Sequence, residues 1–228
     1  MYISGLQKLT LLDFPGRLAA TVFLGGCNFR CPFCHNASLV LSASKCEKIS
    51  EEEFFSFLKS RKGKLGGVCI TGGEPTLYSE LKAFIKRIKE EGFAVKLDTN
   101  GTNPELLSEL ICEGLLDYVA MDIKNSIDKY ELTAGTAVDM EKIKKSVELL
   151  LSEKVDYEFR TTVVKELHKK EDFLAISEWI SGAKRYFLQT FEDSGDLIGS
   201  GFSAYSKDET KEILGLILTN VPNAQIRS

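Results

Sequence analysis

Three cysteines crowd one short stretch, Gly25-Gly26-Cys27-Asn28-Phe29-Arg30-Cys31-Pro32-Phe33-Cys34-His35-Asn36. Their spacing, C-x3-C-x2-C, would put all three on one face of a helix, as ordinary packed thiols. Pro32 opposes that, because a proline inside a helix costs about 3 kcal/mol. Gly25 and Gly26 also favour a loop. A loop gathering three thiols in a non-secreted chain of this size is a metal or redox site. Structural zinc asks for four protein ligands, and electron-transfer clusters usually take four cysteines. His35 directly follows Cys34, and adjacent residues rarely turn toward one tetrahedral metal. Three thiolates on a four-iron cluster leave one iron open, which favours chemistry on a bound molecule over electron storage.

Other chemistry-bearing residues fall at intervals further on. Thr71-Gly72-Gly73-Glu74-Pro75 is a glycine turn where backbone can approach a ligand. Its edge carbonyls and the Glu74 carboxylate can accept from an ammonium group, although a plain turn before a helix reads the same way. Asp98-Thr99-Asn100-Gly101 reads by itself as an Asn-Gly turn. Asp122 and Lys124 are two apart and project to the same side of a strand; alone they read as an ion pair. Arg160 lies in the strand-like run YEFRTTVV, where a charge is costly unless paired. An inward Arg160, with Lys124, suits a carboxylate. His168, in KELHKK, reads as a surface residue. Cys69 and Cys112 read as buried packing in apolar runs, and Cys46 carries no role. Between Cys34 and the TGGEP turn only Cys46 and Cys69 occur, which favours a single cluster.

The elements that must position these groups alternate. Strands are predicted over 18–24, 67–71, 93–97, 116–123, 156–164 and 185–191. Helices are predicted from Ser50, whose spacing to Glu53 makes a capping box, and over 78–91, 104–112, 140–153, 172–180 and 207–218. The tail NAQIRS is one more candidate strand. Pro104 suits a first helical turn, and Gly92 and Gly114 suit helix ends. No linker interrupts the series, so residues 1–228 read as one domain. Regular alternation gives a parallel sheet with outer helices, and six units give an incomplete (β/α)6 barrel rather than a closed eight-unit one. Functional groups are then expected at the carboxyl ends of the strands.

The 228 residues carry a formal net charge of −4, which gives no footing for general nucleic-acid binding. No apolar run reaches the ~18 residues that span a membrane, and the N-terminal segment lacks a leader pattern. The expectation is a cytoplasmic protein with neither nucleic acid nor membrane as partner.

The cysteine loop resembles the signature of the radical S-adenosylmethionine (SAM) superfamily, with Phe33 as the aromatic before the last cysteine. CNFRCPFCHN is similar to the activating enzymes of glycyl radical enzymes. QKLTLLDFPGRLAATVFLGGCNFRCPFCHN most resembles those of anaerobic ribonucleotide reductase, and later motifs follow in family order. The resemblance implies a 4Fe-4S cluster on Cys27, Cys31 and Cys34, reductive cleavage of SAM, and a glycyl radical raised on a partner enzyme, with reduced flavodoxin or ferredoxin as electron donor. It implies SAM contacts from Asn36, Gly72, Gly73, Glu74, Lys124 and Arg160. A monovalent cation is implied beside Asp98, Thr99 and Asp122. The family often has a histidine near the sixth strand; here Gln189 stands in YFLQTF as the polar substitute. A short radical SAM enzyme acting on a nucleoside or other small molecule is the alternative.

Overall fold

The computed structural model describes residues 1–42, 46 and 48–227. Eight strands lie in chain order across one sheet: β1 (Gly5–Thr10), β2 (Ala19–Leu24), β3 (Gly67–Gly72), β4 (Ala94–Thr99), β5 (Tyr118–Asp122), β6 (Asp156–Val163), β7 (Tyr186–Thr190) and β8 (Ala224–Arg227). β1 pairs antiparallel with β2, and every later pair is parallel. Between the parallel strands run α1 (Ala37–Leu41), α2 (Glu51–Ser60), α3 (Leu81–Glu90), α4 (Pro104–Cys112), α5 (Tyr130–Ala134), α6 (Met140–Leu151), α7 (Lys170–Trp179) and α8 (Lys207–Ile217).

Sequential strand order with right-handed crossovers sends every helix to the same face of the sheet. The opposite face curls inward as a lumen. β1 and β8 stand at the two edges, so the barrel is not closed. The expected six β/α units run from β2 to α8. The candidate tail strand is present as β8 over Ala224–Arg227, starting one residue after Asn223; Ser228 lies outside the described residues. The structure adds β1, which the sequence pattern did not suggest. Gln7, Lys8 and Leu9 of β1 are exposed on its edge, so the strand shows no apolar run.

Strand periodicity divides the molecule. Outward residues such as Val22, Ile70, Leu97, Val119, Tyr157, Phe159 and Leu188 join Phe54, Phe84, Leu107, Ile143, Phe173 and Ile213 of the helices in one apolar core. Inward positions carry the buried polar and charged groups, among them Thr21, Cys69, Lys96, Asp98, Asp122, Glu158 and Arg160. The segment after β1 closes the amino-terminal end of the lumen. Phe14 packs on Ala19, Ala94 and Tyr118, and Asp13 accepts from Thr21 Oγ1 at 2.5 Å.

Local signals behave as read. Ser50 and Glu53 form a reciprocal capping box on α2, and Asn103 caps α4 with Pro104 in its first turn. Two expectations fail. Cys112 is exposed, because the α4 stripe of Leu107, Leu110 and Ile111 turns its neighbour outward. His168 is completely buried: the turn after β6 folds it onto Phe173, with ring centroids 5.3 Å apart. Among the described residues no helix is long and apolar enough to cross a membrane.

Candidate active site

The β2 strand delivers the chain into the cysteine loop at the carboxyl edge of the sheet, and neighbouring elements hold the loop by its backbone. Gly73 N donates to Leu24 O (2.8 Å), Glu74 N to Gly26 O (2.9 Å) and Arg30 N to Ala134 O (2.8 Å). Tyr78 Oη donates to Gly25 O at 2.8 Å. The glycine turn approaches so closely that a Cβ on Gly73 would lie 1.8 Å from Gly26 O. Only glycine permits this contact, which places the TGGEP turn directly beside the cysteine loop. Asn36 Nδ2 donates to Gly72 O at 3.1 Å and fastens the far end of the loop to the same turn.

Cys31 is buried, while Cys27 and Cys34 are half-buried. Burial pushes the Cys31 thiol up to about 11, against the pull of the Lys124 ammonium. Burial likewise raises Cys27. All three cysteines line one cavity of about 450 Å3. The same cavity is lined by Asn36, Gly72, Gly73, Glu74, Asp98, Thr99, Asp122, Lys124, Arg160 and Gln189, so every site residue expected from the sequence is brought to one place. Asp13, Asn100 and Thr162 also line it, and sequence reasoning gave none of them a role. Asn100 was legible only as half of an Asn-Gly turn. Asp13 and Thr162 carry no motif.

Among the described residues, no three His, Cys, Asp or Glu side chains converge as ligands of a single ion. A polynuclear cluster makes a different demand: each thiolate takes its own iron, so the sulfurs surround a space instead of meeting at a point. Three thiols around one cavity, beside a cradle that a Cβ would fill, fit such a group.

The Glu74 side chain differs from the expected ammonium acceptor. It is 1% exposed, and its carboxylate accepts from Thr76 N (3.0 Å), Thr76 Oγ1 (2.5 Å), Thr99 Oγ1 (2.8 Å) and Asn100 N (2.6 Å). Burial raises its pKa, and these donors oppose the rise. Glu74 therefore ties the ends of β3 and β4 together and leaves the glycine backbone to face a ligand.

A chain of charges crosses the lumen. Lys96 Nζ contacts the Asp98 carboxylate. Arg160 reaches Asp98 Oδ2 at 3.0 Å and Asp122 Oδ1 at 2.9 Å. Lys124 Nζ lies 3.0 Å from Asp122 Oδ2. Burial alone would raise Asp122, but Arg160 and Lys124 outweigh it and hold the carboxyl at about 2. Arg160 thus points inward, as a ligand role requires, yet its guanidinium is engaged by the two aspartates rather than free for a carboxylate. It also lies between the two carboxylates where the resemblance implies a monovalent cation. The physical reason is the register: Asp122 sits opposite Arg160 on adjacent strands, and a buried guanidinium takes the nearest anions. The Asp122–Lys124 ion pair that the spacing allowed is present.

His168 belongs to this site indirectly. Its Nε2 meets Lys124 O at 2.8 Å, and Val164 N donates to Nδ1 at 3.2 Å. Nδ1 also lies 3.1 Å from Val164 O, so both ring nitrogens are held by backbone groups. Burial lowers its pKa.

Fold and site together define a barrel-type enzyme whose cysteine loop and charged cavity share the carboxyl edge of a parallel sheet. The Radical SAM superfamily model matches residues 21–180. A Methanocaldococcus jannaschii protein, provisionally named a glycyl-radical enzyme activating enzyme, is 35% identical over 236 aligned residues, covering 99% of this chain and 95% of that one. The pyruvate formate-lyase-activating enzyme of Clostridium pasteurianum is 33% identical over 140 residues, covering 58% of this chain and 57% of that one. Among solved structures, a domain of the Bacteroides vulgatus pyruvate-formate lyase-activating enzyme superposes with a TM-score of 0.60 at 16% identity, covering 72% of this chain and 99% of that one. Streptococcus suis SuiB bound to its precursor peptide SuiA gives 0.73 at 14% identity, covering 91% of this chain and 48% of that one. These two superpositions speak for the fold alone. The chain belongs to the radical SAM superfamily, among the glycyl-radical enzyme activating enzymes.

Proposed function

We propose that the protein cleaves SAM reductively at a 4Fe-4S cluster and raises a glycyl radical on a partner enzyme, the partner being anaerobic ribonucleotide reductase. The observation that carries the chemistry is the single cavity onto which Cys27, Cys31 and Cys34, the Gly72-Gly73 backbone and the Lys124–Asp122–Arg160 charges all open. A glycyl radical enzyme as partner rests on similarity to a provisionally named glycyl-radical enzyme activating enzyme along 95% of its length; anaerobic ribonucleotide reductase in particular rests on the resemblance of the N-terminal stretch through the cysteine loop.

In this reading Cys27, Cys31 and Cys34 would hold the cluster through their thiolates. When bound, that group would supply the electron for reductive cleavage of SAM and, through it, removal of a hydrogen atom from a glycine of the partner. The protein's own residues position and neutralise. Gly72 and Gly73 present backbone to the SAM ammonium. Lys124 and Arg160 meet its carboxylate, and Gln189 supplies a further polar contact. Arg160 must loosen from Asp98 and Asp122 to do so, and a monovalent cation beside Asp98, Thr99 and Asp122 would replace the charge it withdraws. Reduced flavodoxin or ferredoxin is the electron donor.

The test is anaerobic incubation of the reconstituted protein with SAM, a reductant and purified anaerobic ribonucleotide reductase, followed by electron paramagnetic resonance. A glycine-centred radical is expected. SAM cleavage without that radical, accompanied by a new product from a nucleoside, would replace this reading with the small-molecule one.

A further inference from the structure

Behind Cys27 lies a ring of three polar side chains that the proposed reaction does not use. Asn100 Nδ2 donates to Asn28 Oδ1 at 2.8 Å. Asn28 Nδ2 donates to Thr102 Oγ1 at 2.9 Å, and Thr102 Oγ1 donates to Asn100 Oδ1 at 2.7 Å. The direction of this ring is fixed. The backbone N–H of Thr102 also donates to Asn100 Oδ1, at 3.1 Å, so that atom is the oxygen and the other is the nitrogen. The same Asn100 nitrogen lies 3.9 Å from Cys27 Sγ. With one of its hydrogens spent on Asn28, the second is left for the sulfur.

Cys27 Sγ is approached from a second side by Phe29 N, at 3.3 Å. Among the described residues, neither Cys31 Sγ nor Cys34 Sγ receives a comparable donor. The backbone of Asn100 joins the other half of the site, since its N–H donates to Glu74 Oε2 at 2.6 Å. One residue therefore touches the carboxylate that organises the glycine turn and the sulfur that takes one corner of the cluster.

We infer that Asn100, held in place by Asn28 and Thr102, is a positioning residue that sets the reduction potential of the cluster through Cys27. This rests on the reading that the three cysteines hold an iron–sulfur cluster. The physical ground is simple. Reduction adds negative charge to the cluster and its thiolates, and an N–H aimed at a thiolate stabilises that charge, which raises the potential. The ring makes the effect directional, because Asn100 cannot turn its amide without breaking bonds to Asn28 and Thr102.

The test uses the reconstituted holoprotein and a redox titration of its cluster followed by electron paramagnetic resonance. Asn100→Leu is expected to make reduction about tenfold harder, a fall of ~59 mV for a one-electron couple. Asn28→Ala, which keeps the amide but releases its anchor, is expected to shift the potential in the same direction by less. An unchanged potential in Asn100→Leu, with iron and sulfide intact, would overturn the inference. If Asn100→Leu does not hold the cluster, Asn28→Ala decides: a fall supports the inference and no change overturns it. Loss of the cluster from both variants would also count against it, since it would make the ring purely structural. A wild-type protein that takes up no cluster would instead defeat the underlying reading and leave no potential to compare.

Discussion

Arg160 is the residue on which the lumen turns. It is 12% exposed and holds two carboxylates that come from strands far away in the chain. Removing it leaves Asp98 and Asp122 facing each other, with Lys96 and Lys124 as their remaining partners. Breaking a buried pair from one side costs about 3–5 kcal/mol. Arg160→Ala is therefore expected to destabilise the cluster-free protein by at least about 3 kcal/mol in urea unfolding. A loss under about 1 kcal/mol would mean that the charge chain contributes little to the fold. Sequence alone showed that a charge in YEFRTTVV must be paired or solvated, and it weighed an inward guanidinium against an outward one. It did not show the partners, because the pairing depends on strand register across separations of 38 and 62 residues. The cysteines are the opposite case. They lie within eight consecutive positions, so spacing and Pro32 were enough to group them in one loop, and the structure places all three on one cavity. Glu74 falls between: the turn was legible, but not that the carboxylate would be used up inside the protein.

At the scale of elements, the segment from β6 to α7 works as a clamp on the loop that carries Lys124. His168 is its centre, bridging Lys124 O and the Val164 backbone. Because burial keeps this ring neutral, its folded pKa lies below the ordinary value of 6.5. Between the two values the unfolded chain binds the extra proton, so the stabilisation is fully present above about pH 6.5 and is lost as pH falls toward the folded value. His168→Leu removes both the hydrogen bonds and the titration. It is expected to cost about 1–3 kcal/mol at pH 8, with the gap to wild type narrowing between pH 7 and 5. A gap that stays constant would show that the ring is not buried neutral. The sequence hid this residue, because charged neighbours in KELHKK describe the surface of the turn and not the one side chain folded beneath it. β1 was hidden for a related reason: an edge strand that exposes Gln7, Lys8 and Leu9 has no buried face to betray its period. Strands β2 to β7 were legible because the helices cover one face of each, and the resulting apolar runs survive in the sequence.

At the scale of the whole molecule, polarity is inverted relative to a simple globule. The main apolar core lies between sheet and helices, and the lumen, above the small apolar plug around Phe14, carries the buried charges. In the proposed function, that division and the cysteine loop at the carboxyl edge would let one small barrel hold a cluster and a charged cosubstrate side by side. The central claim is that Cys27, Cys31 and Cys34 grip a cluster with an iron open to SAM. The most direct measurement is anaerobic reconstitution with iron and sulfide, followed by reduction in the presence of SAM and an assay for 5′-deoxyadenosine. The account expects about four irons per chain, 5′-deoxyadenosine formed with methionine, and loss of both cluster and product in Cys31→Ala. A Cys31→Ala protein that still binds the cluster and cleaves SAM would contradict it, as would a wild-type protein that binds zinc and no iron.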